Sequence, residues 1–237
     1  MLKKLLPLAL MTALLCPHVQ ADEADVRKAI EAKLGTKVLS VTKSSYLGLY
    51  EVFANGQIIY TDEKLSVIVV GALIDGQTMQ DHTAERMQKL MAIKFSDLPL
   101  EYAIKQVRGD GKRVFASFED PNCGYCKKLA KDIAKLNNVT IYTFLLPILS
   151  PDSLEKSNQI WCAADKAKAW NDYMRENKAP APAKSGCDTT AIQKTMELGR
   201  RLNITGTPTI FFANGERVPG AVPAAMIEQK LGLATEK

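Results

Sequence analysis

The sequence predicts an α/β domain with a closely spaced cysteine pair, preceded by a smaller α+β domain. Residues 22–77 contain no cysteine and combine one amphipathic helix with apolar, hairpin-like strands. After residue 107, short apolar strands alternate with amphipathic helices, which is typical of an α/β fold. We therefore expect domains at 22–77 and 108–237, joined by a helical linker at 78–107.

The chain starts with the features of a secretory signal peptide, residues 1–21. Lys3 and Lys4 precede an apolar run, Leu5–Leu15, that is too short to cross a bilayer as a helix. Small residues ending at Ala21 have the pattern of a signal-peptidase site, so we expect export and cleavage there. The alternative is an uncleaved anchor or a buried helix.

The first domain begins with a predicted helix in which Val26, Ile30 and Leu34 share one face. Asn55-Gly56, between apolar strands, is a strong hairpin signal because both turn positions favour positive φ. One helix and about four strands make a small core for an isolated domain. We therefore expect this domain to form a homodimer with a second copy.

Residues 78–107 have a helical pattern that Pro99 interrupts. We expect a linker helix that breaks near 96–99 and continues to Val107. The linker contains His82, the one histidine left after cleavage. We interpret it as an ordinary surface residue rather than a catalytic or metal-binding one.

The second domain has an alternating order of predicted strands and helices. An apolar strand at 114–118 leads into the cysteine pair and a helix, followed by a second strand and a helical insertion. Pro208 starts another strand, Asn214-Gly215 predicts a hairpin turn, and a final helix covers about 223–231. This order predicts a thioredoxin-like fold with a helical insertion.

The cysteines divide into two candidate pairs. Of the five, Cys16 lies in the leader, and an even number in the remaining exported chain indicates two pairs. Four cysteines allow three connectivities. The simplest joins Cys123 with Cys126 and Cys162 with Cys187.

Cys123 lies where a strand ends and a helix begins, and Cys126 falls in the first turn of that helix. Unpaired amides and the helix dipole favour a thiolate there, and the first cysteine of such motifs has a pKa of roughly 3.5–7.5. A metal site needs two more ligands, and an inert disulfide does not need this position. We interpret the pair as a catalytic redox dithiol that uses no metal or organic cofactor.

The composition gives no indication of a nucleic-acid or membrane partner. The formal net charge of +5 is small, and no basic cluster is interleaved with aromatic residues. No apolar run after the leader approaches the length of a membrane span, so we expect a soluble mature protein.

Several segments together resemble the DsbC-type periplasmic disulfide isomerases: DPNCGYCKKL, IWCAADKAKAWNDYM, the later SGC, GTPT and NGERVPG. The resemblance covers essentially the whole mature chain, and Gly124-Tyr125 within the cysteine motif is specific to this family. It implies a periplasmic, V-shaped homodimer whose two thioredoxin-like arms face a cleft. It also implies a structural disulfide between Cys162 and Cys187, and a membrane reductase of the DsbD type that keeps the dithiol reduced.

The same resemblance implies a substrate-binding surface beside the dithiol. Thr207-Pro208 is expected as a cis peptide, with Thr207 offering backbone groups to a bound substrate chain. Gly124 and Tyr125 are expected to contact the same substrate.

One feature departs from the wider thioredoxin superfamily. Many members carry a buried acid six residues before the first cysteine, and here that position is Ser117. Glu119 and Asp120 lie nearer the motif. The sequence assigns neither of them as the proton acceptor for Cys126.

The main hypothesis is a disulfide isomerase with associated chaperone activity. Cys123 attacks a non-native disulfide of an exported protein, and the freed substrate thiol then reshuffles the pairing. Cys126 releases stalled complexes by reducing the substrate. The alternatives are a dimeric holdase with secondary thiol chemistry, and a thiol oxidase or sulfenic-acid reductase on the same fold.

Overall fold

The computed structural model of the protein describes residues 22–235. The expected signal peptide, residues 1–21, and its cleavage site at Ala21 lie outside the described residues. The chain divides into two compact units between Gly71 and Ala72. Among residues 22–235, no helix is both long enough and apolar enough to cross a membrane.

The first unit packs one helix on an antiparallel sheet of order β1-β2-β3-β4. Its elements are α1 (Glu23–Leu34), β1 (Val38–Lys43), β2 (Tyr50–Ala54), β3 (Gln57–Thr61) and β4 (Ile68–Val70). The predicted hairpin joins β2 to β3, where Asn55 and Gly56 have φ values of 50° and 76°. α1 buries Val26 and Ile30, whereas Leu34, expected on the same face, is 45% exposed because the helix ends there.

The second unit is built on a mixed sheet of order β5-β7-β6-β8-β9. Its elements are α2 (His82–Leu90), β5 (Ile104–Arg108), β6 (Arg113–Glu119), α3 (Gly124–Ile133), β7 (Val139–Leu145), α4 (Pro151–Trp161), α5 (Lys166–Glu176), α6 (Thr190–Arg201), β8 (Thr209–Phe212), β9 (Arg217–Pro219) and α7 (Ala224–Thr235). β6 and β7 run parallel, and the other neighbouring strands are antiparallel. The helices α4, α5 and α6 form the predicted insertion between β7 and β8.

The prediction of a linker helix that continues to Val107 is wrong. α2 ends at Leu90, and two short 3-10 helices follow it at Phe95–Asp97 and Leu100–Tyr102. Residues Ile104–Arg108 then form β5, which pairs antiparallel with β7. Burial alternates along β5, and this period of two belongs to a strand rather than to a helix.

The two faces of β6 bury different side chains, and this alternation positions the site. Phe115 packs with side chains of α3 and α7 in one apolar cluster. Phe118 packs in another cluster, where its ring stacks on that of Phe144 with the centroids 4.6 Å apart. Because side chains alternate along a strand, Ser117 and Glu119 lie on the same face as Phe115, towards α3.

Candidate active site

The turn between β6 and α3 places both cysteines at one helix N-terminus. Cys123 is the N-cap of α3, and its amide donates to the carbonyl of Asp120 over 3.0 Å. Cys126 lies in the first turn, where its amide donates to the Cys123 sulfur at 3.4 Å. The first sulfur therefore lies where unpaired amides and the helix dipole favour a negative charge.

Asp120 fixes the conformation of this turn. Its Oδ1 accepts from the amide of Asn122 and from the hydroxyl of Ser153, each over 2.8 Å. Its Oδ2 accepts from the amides of Ile148 and Leu149 over 2.8 and 3.0 Å. Both oxygens of this buried carboxylate are thus occupied by donors, and the carboxylate ties the active-site turn to the segment that leads into α4.

Asn122 continues the same network towards the helical insertion. Its Nδ2 donates to Asp152 over 2.6 Å, to Ser150 over 3.1 Å and to Ser153 over 3.2 Å. Its Oδ1 accepts from the hydroxyl of Tyr173 on α5 over 3.0 Å. The N-terminus of α3 is therefore braced by α4 and α5.

The Cys123 sulfur is nearly enclosed but has polar neighbours. The residue is 5% exposed, and its sulfur lies 3.2 Å from the carbonyl oxygen of Thr207, which accepts from the thiol when Cys123 is protonated. The Thr207-Pro208 peptide is cis. A side-chain hydrogen bond with Cys126 is the largest influence on Cys123 and lowers its pKa to about 5, against an opposing effect of burial. Thr207 and the backbone amides lower this pKa further.

The pKa of Cys126 is shifted in the opposite direction to that of Cys123. It is fully buried in an apolar cluster that includes Leu145 and Trp170. Burial is the largest cause that raises its pKa, followed by the hydrogen bond with Cys123 and the charge of Glu119. At neutral pH the pair therefore holds one thiolate and one thiol, the combination that thiol exchange by nucleophilic attack requires.

Glu119 is a buried acid at the end of β6. Ser117 Oγ donates to its Oε1 over 2.6 Å, whereas its Oε2 has no hydrogen-bond partner among the described residues. Burial raises the pKa of Glu119 to about 8; the bond from Ser117 opposes this, and the charge of Cys123 adds to it. The sequence carried one signal for this acid. Residues 117 and 119 are two positions apart on a strand, so their side chains lie on the same face.

Two family models match the chain: a thioredoxin-like domain over residues 100–235, and a disulfide bond isomerase protein N-terminal domain over residues 17–84. The chain is 47% identical over 215 residues to the probable thiol:disulfide interchange protein DsbC of Bordetella parapertussis, covering 91% of this chain and 75% of that relative. This chain belongs to the DsbC family of thiol:disulfide interchange proteins.

Two further comparisons agree. The Escherichia coli thiol:disulfide interchange protein DsbC is 30% identical over 236 residues, with 97% of this chain and 96% of that protein covered. The crystal structure of a disulfide interchange protein from Neisseria gonorrhoeae superposes with a TM-score of 0.55 at 40% identity, covering 58% of this chain and 98% of that one. The predictions of a thioredoxin-like fold and of thiol:disulfide oxidoreductase chemistry are confirmed.

The residues inside the cysteine motif of this DsbC-family chain face outwards. Tyr125 is 70% exposed, although it follows the N-cap of α3 by only two residues. An added Cβ at Gly124 would meet nothing within 4 Å, so the space beside this residue is open. Both residues, with Thr207 and Pro208 beside the sulfur, remain predicted substrate contacts.

The second cysteine pair is joined. Cys162 at the C-terminus of α4 and Cys187 before α6 form a disulfide with their Cα atoms 6.0 Å apart, across a sequence separation of 25. Lys184 and most of the proline-rich segment before it are exposed within the enclosed loop. In this DsbC-family chain the bridge therefore closes a loop of the helical insertion.

Among residues 22–235 of this DsbC-family chain, no candidate metal site surrounds the dithiol. Cys123 and Cys126 are both free thiols. Within the described part of the chain, no group of three or more His, Cys, Asp or Glu side chains is placed to hold an ion.

Proposed function

We propose that this protein rearranges non-native disulfides of exported proteins in the periplasm, with Cys123 as the nucleophile and Cys126 as the releasing thiol. The observation that carries the proposal is the opposite environment of the two sulfurs. Cys123 has a pKa of about 5, whereas burial keeps the neighbouring Cys126 protonated.

The chemistry follows from this asymmetry. The Cys123 thiolate attacks one sulfur of a substrate disulfide, a mixed disulfide forms, and the other substrate sulfur leaves as a thiolate. That thiolate attacks a further disulfide of the same substrate, forms a new pair with one of its sulfurs and expels the other. The expelled thiolate attacks the mixed disulfide and displaces Cys123 as a thiolate, so that pairing changes without net oxidation or reduction. If the complex stalls, Cys126 attacks Cys123, which releases a reduced substrate and leaves the active site oxidised.

The exposed surroundings of the dithiol support a polypeptide substrate. Tyr125 is 70% exposed, and the exposed apolar side chains Ile148 and Leu149 lie on the segment that Asp120 ties to the active-site turn. The Thr207 carbonyl lies at the Cys123 sulfur, where a backbone group is available to an extended chain. Substrate segments rich in apolar residues fit this surface.

The first unit supports the proposal of a homodimer. Its sheet ends in the short strand β4, where Val69 and Val70 are 43% and 69% exposed. An apolar edge strand of this kind pairs readily with a second copy. We further propose that a membrane reductase of the DsbD type restores the dithiol after Cys126 has acted.

Recovery of scrambled ribonuclease activity tests the isomerase. We expect the reduced wild type to restore activity, Cys123→Ser to lose this ability, and Cys126→Ser to retain part of it while accumulating mixed disulfides. The Cys126→Ser variant is a matched control because it makes the same atomic change three positions away. Equal recovery with wild type and Cys123→Ser would refute the mechanism.

The redox state in cells separates isomerase from oxidase. An isomerase begins its reaction with a thiolate, so acid quenching and alkylation of periplasmic extracts should find Cys123 and Cys126 mostly reduced. A mostly oxidised pair would favour the oxidase instead.

A holdase activity is a second candidate, because apolar side chains are exposed close to the dithiol. Its test is suppression of aggregation of a cysteine-free client by the Cys123→Ser/Cys126→Ser double variant. Undiminished suppression supports a chaperone activity that is independent of the thiols, and loss of suppression contradicts it.

A further inference from the structure

Glu119 and Cys126 converge on one face of the sheet. Alternation along β6 directs Glu119 to the side covered by α3, the helix that buries Cys126 in its first turn. The backbone of Asp120, the residue bonded to Glu119, contributes a hydrogen bond to the Cys126 sulfur. Glu119 pairs in register with Leu145 of β7, which packs in the same apolar cluster as Cys126, and the charge of Glu119 raises the pKa of Cys126.

Glu119 has an oxygen available for a proton. The side chain is fully buried, Ser117 orients Oε1, and Oε2 has no hydrogen-bond partner among the described residues. A buried carboxylate oxygen without a donor is costly, and a role in proton transfer explains why it is retained. Asp120 does not fit this role, because its two oxygens accept four hydrogen bonds that hold the turn.

We propose that Glu119 is the proton acceptor for Cys126 when Cys126 attacks the mixed disulfide between Cys123 and a substrate. Glu119 lies four residues before Cys123. Ser117 stands at the position, six residues before Cys123, where many thioredoxin-like proteins carry the buried acid, and here it donates a hydrogen bond to Glu119. This inference rests on the proposed function, since it concerns the releasing step of the same reaction.

The charges of the site make the acceptor available at the right stage. Among the described residues, the Cys123 thiolate is the ionisable group whose charge raises the pKa of the Glu119 carboxyl, and the charge of Glu119 in turn raises the pKa of Cys126. In the reduced state, a protonated Glu119 avoids a second negative charge beside that thiolate. When Cys123 enters the mixed disulfide its charge disappears, which removes one of the causes that raise the pKa of Glu119, so that a larger fraction of the carboxyl is ionised.

The releasing step then balances. The Cys126 thiol transfers its proton to Glu119, and the resulting thiolate attacks the Cys123 sulfur. The Cys123–Cys126 disulfide forms, the bond from Cys123 to the substrate breaks, and the substrate sulfur leaves as a thiolate. The two active-site sulfurs are oxidised by two electrons in total and the substrate disulfide is reduced by two. The proton on Glu119 passes to the departing thiolate or to solvent, which leaves the carboxylate beside a neutral disulfide.

Rapid-quench kinetics with oxidised glutathione test the proposal. Reduced protein is mixed with excess glutathione disulfide, quenched in acid, and analysed by mass spectrometry for dithiol, mixed disulfide and active-site disulfide. For Glu119→Gln we expect formation of the mixed disulfide within threefold of wild type and release slowed by about 10²-fold at pH 7, the usual size of a general-base contribution.

Three readouts distinguish proton transfer from a structural role. Release by Glu119→Gln should rise about tenfold per pH unit as hydroxide replaces the missing base. Glu119→Asp should recover part of the rate, and the exposed control Glu101→Gln should behave as wild type. Release by Glu119→Gln at the wild-type rate, with a wild-type pH profile, would overturn the inference.

If Glu119→Gln does not fold, a measurement on the wild type still tests the proposal. Infrared difference spectra at pH 7 should show a protonated-carboxyl band that is stronger in the dithiol state than in the active-site disulfide. No change in this band would overturn the proposal. Failure of the mixed disulfide to form at all would instead count against the proposed nucleophile Cys123.

Discussion

The two cysteine pairs of this protein lie in one unit and differ in every property that controls reactivity. Cys123 and Cys126 are buried free thiols at the N-terminus of α3, where polar neighbours lower the pKa of one and burial raises that of the other. Cys162 and Cys187 are partly exposed and joined across the helical insertion. The pair that we propose to exchange is therefore the more buried one, and hydrogen bonds rather than exposure lower the pKa of its first sulfur.

Removal of the nucleophile is expected to have the largest effect. Cys123→Ser should lower disulfide exchange with glutathione by on the order of 10³-fold or more, because the remaining thiol is buried and protonated. Stopped-flow mixing with glutathione disulfide measures this. Substantial exchange through Cys126 alone would remove the contrast between the two sulfurs.

Removal of the second pair should affect stability and leave chemistry unchanged. Cys162→Ala together with Cys187→Ala opens a loop with a sequence separation of 25, which should cost about 3.5 kcal/mol of unfolding free energy. Urea denaturation measures this cost, and exchange by the folded variant should remain within twofold of wild type. A large fall in exchange would show that the insertion disulfide participates in the reaction.

The pH dependence of alkylation sharpens the comparison further. Iodoacetamide labelling of Cys123 in the reduced protein should have a midpoint near pH 5, whereas an ordinary thiol has a pKa near 9.0. At pH 6 the rate should exceed that of an ordinary thiol by about tenfold, after allowance for the weaker nucleophilicity of a low-pKa thiolate. A midpoint above pH 8 would contradict the proposed nucleophile.

The same ionisation affects the stability of the reduced state. The folded pKa of Cys123 is depressed, so its contribution is fully present above about pH 9 and is lost as the pH falls through about 5. The reduced protein should therefore lose stability relative to the disulfide form on acidification across this window. Denaturation of both redox forms at several pH values checks the sign.

The smallest expected effect comes from the hydrogen bond between the two cysteines. Because this bond is the main cause of the low pKa of Cys123, Cys126→Ala should move the alkylation midpoint upwards. Cys126→Ser keeps a hydroxyl donor and should move it less. Identical midpoints in the two variants would show that other groups, such as the amides of α3, set the pKa.

Local chemistry made much of this molecule predictable. The Asn55-Gly56 turn, the strand before the dithiol and the order of elements follow from positive-φ preferences and from apolar periodicity. β5 was missed because Pro99 and a preceding helical pattern concealed a five-residue alternation. Such short segments become strands only through their partner, here β7.

The acids near the dithiol show the limit of sequence reasoning. Glu119 and Asp120 are adjacent, yet only Asp120 is fully satisfied, through amides 28 and 29 residues away. No local pattern reveals which carboxylate meets those donors. The assignment depends on the path of the chain between β7 and α4, which brings the amides of Ile148 and Leu149 to Asp120.

The enclosure of Cys126 has a practical consequence for biophysical work. Among the cysteines of residues 22–235, one is sealed in apolar packing and two are tied to each other, so a thiol-directed fluorophore at mildly acidic pH encounters a single reactive position. In a chain that starts at residue 22, a spectroscopic reporter can therefore be attached beside the proposed substrate surface without first replacing any cysteine.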